Sequence, residues 1–219
     1  MVKAVVLGLL ILPTSLQAQD REIPFSEINP LVSIETQSPL IEKTFSVEIT
    51  DPALSYEDIN VWLTKDGEII APISVDSVDG RIRLTALTEQ EAQRHALRIN
   101  QPKESANINL QLKVLSPPST SMRYEDIFHL VNDANLLIKT MAGTMAFFAP
   151  KVDTLKFHFT EPATVSISVE AAPLEYKTEP DSSMGEGFHS VSIKQSKQLM
   201  DTNPVVVFSA IPESIEPLD

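Results

Sequence analysis

The 219-residue chain has no cysteine, 6 glycines, 1 tryptophan and a shortage of basic residues. Without cysteine there is no disulfide scaffold, no thiolate-held metal or iron–sulfur centre and no thiol nucleophile. The few glycines form no Gly-x-Ser-x-Gly nucleophile elbow and no Gly-Lys-Ser/Thr phosphate loop, and a collagen-like repeat is excluded. Met184-Gly185-Glu186-Gly187-Phe188 is Gly-x-Gly without a third glycine and reads as a loop. Lys and Arg number 17 against 30 Asp and Glu, a formal charge of -13. Nucleic-acid and anionic-lipid binding both need clustered cations, and the densest basic stretch, Arg94-His95-Ala96-Leu97-Arg98, is too sparse. No apolar run after the N-terminus reaches the length of a membrane-spanning helix; Met141 to Ala149 is short and holds Gly143.

What the chain does have begins with an address. Lys3 precedes the apolar run Ala4 to Leu12, Pro13 breaks it, and Leu16-Gln17-Ala18 ends on a small residue. That layout predicts a secretory signal peptide over residues 1–18, cleaved after Ala18. The exported chain would keep 16 basic and 30 acidic residues, a charge of -14. It would be stabilised by its core alone, which a chain of this length can supply.

Ser116-Pro117-Pro118-Ser119-Thr120-Ser121 divides the remainder. The expected fold is mainly β with some α: two tandem small antiparallel β-sandwich-like modules, residues 19–116 and 122–219, joined by a Pro/Ser linker at 117–121. In the first, Thr44 to Thr50 alternates apolar and polar residues, and Asp66-Gly67 gives hairpin chemistry between Ile59–Thr64 and Glu68–Pro72. Asp79-Gly80 marks a second turn, Thr88 with Glu91 a capping box, and Asn107 to Val114 a last strand. The second module opens with an amphipathic helix whose stripe is Tyr124, Ile127, Phe128, Val131, Ala134, Ile138 and Met141, with Ser121 as its expected N-cap. Strands are expected at 155–159, 164–169, 190–194 and 205–208. Two short internal similarities pair Pro24-Phe25-Ser26-Glu27-Ile28 with Arg123-Tyr124-Glu125-Asp126-Ile127, and Asn100 to Ser105 with Ala210 to Ser214. They leave a tandem duplication open.

Candidate chemistry is thin. His95, His129, His158 and His189 lie far apart, with no metal-ligand spacing. His158 is out of phase with Phe157 and Phe159 and should leave the core face. Glu57-Asp58, Glu125-Asp126, Asp76 and Asp79 could supply paired carboxylates, and Asp66, Asp76 and Asp79 sit near turns without a calcium-loop pattern. Trp62, in mid-strand, reads as a buried sheet anchor or as a candidate ligand platform.

The run Ile99-Asn100-Gln101-Pro102-Lys103-Glu104-Ser105, followed by an alternating strand, a Pro-Pro break and a helix opening on Tyr124, resembles a family of uncharacterised proteobacterial periplasmic proteins of unknown function. The resemblance implies a bacterial source and a periplasmic location, and it brings no catalytic or binding residues.

The resulting expectation is an exported, periplasmic, non-enzymatic binding or envelope-associated structural protein. It would meet a protein partner through a sheet edge or the module interface, with no catalytic, cofactor or metal residues assigned. No nucleic acid and no stable membrane insertion are expected, and the oligomeric state stays open. One alternative is a carboxylate-dependent hydrolase of cell-envelope polymer. Another is a pilus-type assembly chaperone, for which the junction offers only Lys113 and Arg123 as cations.

Overall fold

The computed structural model describes residues 20–143, 149–170 and 172–219. The expected signal peptide and cleavage point lie outside them. Among the described residues, no helix is long and apolar enough to cross a membrane.

The described residues are mainly β, in four small antiparallel sheets. In the first half, β1 (Arg21–Pro24), α1 (Phe25–Val32), β2 (Ile41–Ile49), β3 (Val61–Lys65), β4 (Glu68–Ile73), β5 (Arg81–Ile82), α2 (Glu89–Ala92), β6 (His95–Ile99) and β7 (Ala106–Val114) follow in order. They form one sheet of order β1-β6-β3-β4 and a second of order β5-β2-β7. The second half runs β8 (Ser121–Arg123), α3 (Tyr124–Ala142), β9 (Thr154–Phe159), β10 (Thr164–Ile167), β11 (Leu174–Lys177), β12 (Glu179–Pro180), β13 (His189–Lys194), α4 (Lys197–Thr202), β14 (Val205–Phe208) and β15 (Ser214–Leu218). Its sheets are β11-β10-β14-β8 and β12-β13-β9-β15.

Apart from the added β12, the second half repeats the first, strand for strand and helix for helix. β8-β14-β10-β11 stands where β1-β6-β3-β4 does, and β13-β9-β15 where β5-β2-β7 does. Both short sequence similarities fall at matching places. Phe25 and Tyr124 each open a helix directly after the first strand, and both are buried. Asn60 N donates to Asn100 Oδ1 at 2.8 Å, and at the corresponding position Thr164 N donates to Ser209 Oγ at 2.9 Å.

Local chemistry accounts for these elements. Asp66 (φ 52°) and Gly67 (φ 86°) both take positive φ, the requirement of a two-residue hairpin turn that follows strand twist. At α2, Glu91 N donates to Thr88 Oγ1 (3.3 Å) while Thr88 N donates to Glu91 Oε2 (3.1 Å), the reciprocal cap expected. α3 buries Tyr124, Ile127, Phe128 and Val131, with the Tyr124 and Phe128 rings stacked at 4.1 Å. Its start differs from expectation. Ser121 is not the N-cap, because Ser121–Arg123 pairs with β14 as strand; Asn203, in left-handed conformation, supplies the cap by accepting from Glu125 N at 3.0 Å.

The linker is zipped down. Pro117 is buried, Phe208 N donates to Thr120 O, and Ser116 Oγ donates to Glu213 O. The halves are also pinned further back in the chain. Leu40 lies in the core of the second half, among Tyr124, Phe157 and Phe208, and Ile41 and Val114 pack against that core. On α3, Asp133 is 2 % exposed. Its carboxylate accepts from Gln37 N with both oxygens (3.0 Å each) and from Ser38 N (2.9 Å), while Ser38 Oγ donates to Asp126 O. Lys43 then holds the end of α1, donating to the carbonyls of Leu31, Val32 and Ile34, where a helix leaves acceptors unpaired and favours a cation. Burial pushes the Lys43 ammonium below its ordinary value, opposed by the nearby Glu35 charge.

Asp133→Ala should lower stability by about 2 kcal/mol, since it strands the buried Ser38 N–H and frees the Gln37 N–H, both served by a charged acceptor; urea denaturation measures this. Gly80 has φ 70°, and a Cβ there would lie 2.7 Å from Val47 O and collide with the Tyr56 ring. Gly80→Ala should therefore cost roughly 2 kcal/mol or more in the same assay.

Candidate functional site

The strongest gathering of titratable side chains lies on the outer face of the sheet β12-β13-β9-β15. On β9, Leu155, Phe157 and Phe159 point into the core, so Lys156 and His158 point away from it. His158 leaves the core face as expected, yet it is only 1 % exposed. Asp181, just past β12, and Glu216, on β15, close over it. Asp181 Oδ2 lies 3.4 Å from His158 Nδ1 and 2.7 Å from Lys156 Nζ, and Glu216 Oε2 lies 3.2 Å from His158 Nε2. The Lys156–Asp181 contact is held by charge, since Asp181 Oδ2 has no well-directed hydrogen bond despite the short separation. Lys156 first, then the Ser183 side chain and backbone and the Ser190 hydroxyl, hold the Asp181 carboxyl far below the usual carboxylate range.

This geometry sets what the group can do. A general base needs a free ring nitrogen beside the proton it removes. Here each nitrogen of His158 faces a carboxylate, and among the described residues no hydroxyl is hydrogen-bonded to either. A two-carboxylate glycosidase needs an open gap between its acids for substrate and water; His158 fills the gap between Asp181 and Glu216. The constellation instead ties the loop after β12 and the C-terminal strand to β9. Beside it, Lys156, Lys177, Glu179, Asp181, Ser190 and Ser192 line a shallow depression of about 440 Å³.

Of the other acids singled out in the sequence, Asp58, Asp76, Asp79 and Asp66 serve turns and ion pairs, while Glu57 lies in a short 3-10 turn and Glu125 and Asp126 lie in the first turn of α3. Asp58 accepts from Ser55 N and Oγ, and Asp76 accepts from Val78 N within its turn. Asp79 pairs with Arg81 at 2.7 Å, and Asp66 with Arg94 at 2.5 Å. Among the described residues, no three His, Asp or Glu side chains converge as a metal site. Lys113 is exposed on β7, while Arg123 donates to Asn203 O within its own half.

Trp62 belongs to no core cluster. It stands half-buried on the outer face of β1-β6-β3-β4, in a row that reads Glu22, Arg98, Trp62, Pro72 across the four strands. The sheet-anchor expectation fails because β3 sends Val61 and Leu63 inward, and strand alternation then sends Trp62 outward. Arg98, its cross-strand neighbour, donates to Glu22 Oε1 (3.1 and 2.7 Å) and Gly67 O (2.8 Å). Ile69 and Ile70 on β4 are half exposed. The equivalent row in the second half is Ser121, Val207, Ser166, Glu175. Since the same fold forms there with serine at the equivalent position, the tryptophan is no requirement of the sheet.

No family model matches the chain, and no curated protein or solved structure does either.

The depressed Asp181 value fixes a pH dependence. Its contribution is fully present above the unfolded carboxyl value of about 3.9 and disappears as the pH falls toward the lower folded value. The difference in melting temperature between the wild-type chain and Asp181→Asn, measured by calorimetry, should be widest near neutral pH and shrink progressively below about pH 4.

Proposed function

We propose that the chain is an exported, periplasmic binding protein of the cell envelope that carries out no covalent chemistry and engages its partner through the first module. The reading rests on the contrast between the two halves. The titratable cluster of the second half is closed over a fully flanked imidazole and works as a structural pin. The first half places Trp62, Pro72, Ile69 and Ile70 on an outer face where the matching row of the second half reads Ser121, Val207, Ser166 and Glu175, with Val207 its one apolar side chain. An exposed apolar group of this kind, rimmed by the Arg98–Glu22 pair, is the usual mark of a contact surface. The signal-peptide pattern and the resemblance to periplasmic proteins supply the location.

A photo-crosslinking amino acid at position 70, in the chain expressed in its own cells, should capture an envelope component. The same probe at position 207, on the matching face of the second half, should capture none, and Trp62→Ala should reduce the yield at position 70 severalfold. Recovery of uncrosslinked monomer from both positions would refute the reading.

A further inference from the structure

A sheet's outermost strands carry backbone N–H and C=O groups that no ladder satisfies, and such an edge accepts another strand unless something blunts it. The direction of each residue's backbone groups follows here from single hydrogen bonds. Asn100 N donates to Asn60 O, so the even-numbered residues of β3 bond to β6 and Val61 and Leu63 turn to β4. On β4, Ala71 and Ile73 answer them, which leaves Pro72 facing the free edge. By the same alternation, Arg21 and Ile23 bond to β6 and Pro24 faces the opposite free edge. Asp181 N donates to Phe188 O, so Pro180 faces the free edge of β12, and β15, the other outer strand of that sheet, contains Pro217. Proline has no N–H, so each of these edges lacks a donor. β5, β8 and β11 are short, with 2, 3 and 4 residues.

β7 is different. It has 9 residues, pairs with β2 alone and holds no proline. Leu115 N donates to Leu40 O, so Asn107, Asn109, Gln111 and Lys113 bond to β2, while Ile108, Leu110 and Leu112 direct their N–H and C=O outward. Arg21 covers the strand's beginning by donating to Ala106 O. Among the described residues, the outward groups of Ile108, Leu110 and Leu112 have no partner, and the Leu112 side chain is 41 % exposed.

We propose that the outer edge of β7 is a strand-addition site that takes an extended segment of another polypeptide, with apolar residues at alternate positions and neutral or basic residues between them. The unmet backbone groups specify a strand as occupant, and Leu110 and Leu112 specify the apolar alternation. The charge of -13 disfavours a second copy of this chain and favours a segment without acids. This site is separate from the Trp62 face, and it stands or falls independently of that surface.

The probe is a synthetic nonapeptide copying residues 41–49 with its two glutamates replaced by lysine, added to the isotope-labelled full chain. In the free protein, the amides of Leu110 and Leu112 should exchange with deuterium quickly and those of Asn109 and Gln111 slowly. At a peptide concentration that fills nine-tenths of the sites, exchange at Leu110 and Leu112 should slow by about tenfold. Leu112→Pro, which removes one outward donor and no bond to β2, should abolish the effect while leaving the protection of Asn109 and Gln111 intact. A peptide N-methylated at its β7-facing residues should fail on the unaltered chain, a test that does not depend on the variant folding. The proposal is overturned if Leu110 and Leu112 are already protected in the free chain, if the peptide leaves them unchanged, or if their protection rises with protein concentration, which would identify a second copy as the occupant.

Discussion

The hydrogen-bonding capacity of the sheet edges governs much of this molecule. Small sheets end often, and every end leaves backbone groups that must meet water, a side chain or another strand. Pro24, Pro72, Pro180 and Pro217 stand in outer strands, where the missing N–H costs the ladder nothing. The composition records this only as 16 prolines. Among the described residues, their placement in the fold blunts many edges and leaves β7, the longest outer strand, with a ladder partner on one side only.

The repeated topology separates what the fold needs from what has been added to it. Core-facing positions keep their character between the halves: Phe45 pairs with Ile82 and Leu110, as Phe157 pairs with Val191 and Ile215. Outward positions are free of that packing constraint and diverge. Ser46, beside Phe45, and His158, beside Phe157, are both fully buried on the outward face, but only His158 is enclosed by acids. Trp62 and Ser166 differ in the same way. The second half uses the outer face of β13-β9-β15 to bind its own loop and C-terminal strand, and the first leaves Ile69 and Ile70 exposed on its other sheet, β1-β6-β3-β4.

Much of the fold was legible in the sequence, because alternation and turn chemistry are local. Thr44–Thr50, Asn107–Val114, the Asp66-Gly67 turn and the Thr88 cap all appear where their residue patterns place them. What escaped depended on distant partners. α4 has only 6 residues and β12 only 2, too short for a periodic signal. Ser121 has the chemistry of a helix cap, but pairing with β14 claims it for a strand, and Asn203, 78 residues beyond the Glu125 N–H it accepts from, takes over the cap. The site was less legible still. Alternation placed His158 off the core face, but no local pattern reveals that Asp181 and Glu216 fold over it. Trp62 shows the converse error: its size suggested burial, while its phase relative to Val61 and Leu63 already placed it outside.

The junction between the halves bears directly on the open edge. A strand-addition site is effective when its backbone is held in extended form before the partner arrives, because ordering it on binding would consume affinity. β7 is paired with β2 along its whole length, and the chain entering β2 is fixed by Leu40 in the second core and by the buried carboxylate of Asp133 on the Gln37–Ser38 backbone. The exit from β7 is equally constrained, since Leu115 bonds to Leu40 and Pro117 is buried directly after it. The second half thereby anchors both strands of the β2–β7 ribbon at one end, where Ile41 pairs with Val114, while Arg21 holds the other end through Ala106 O, and the outer side of β7 is presented as a rigid template. A single sandwich would form the same strand pair without that anchorage, so in the proposed strand addition the second half would act through rigidity and not through a contact of its own.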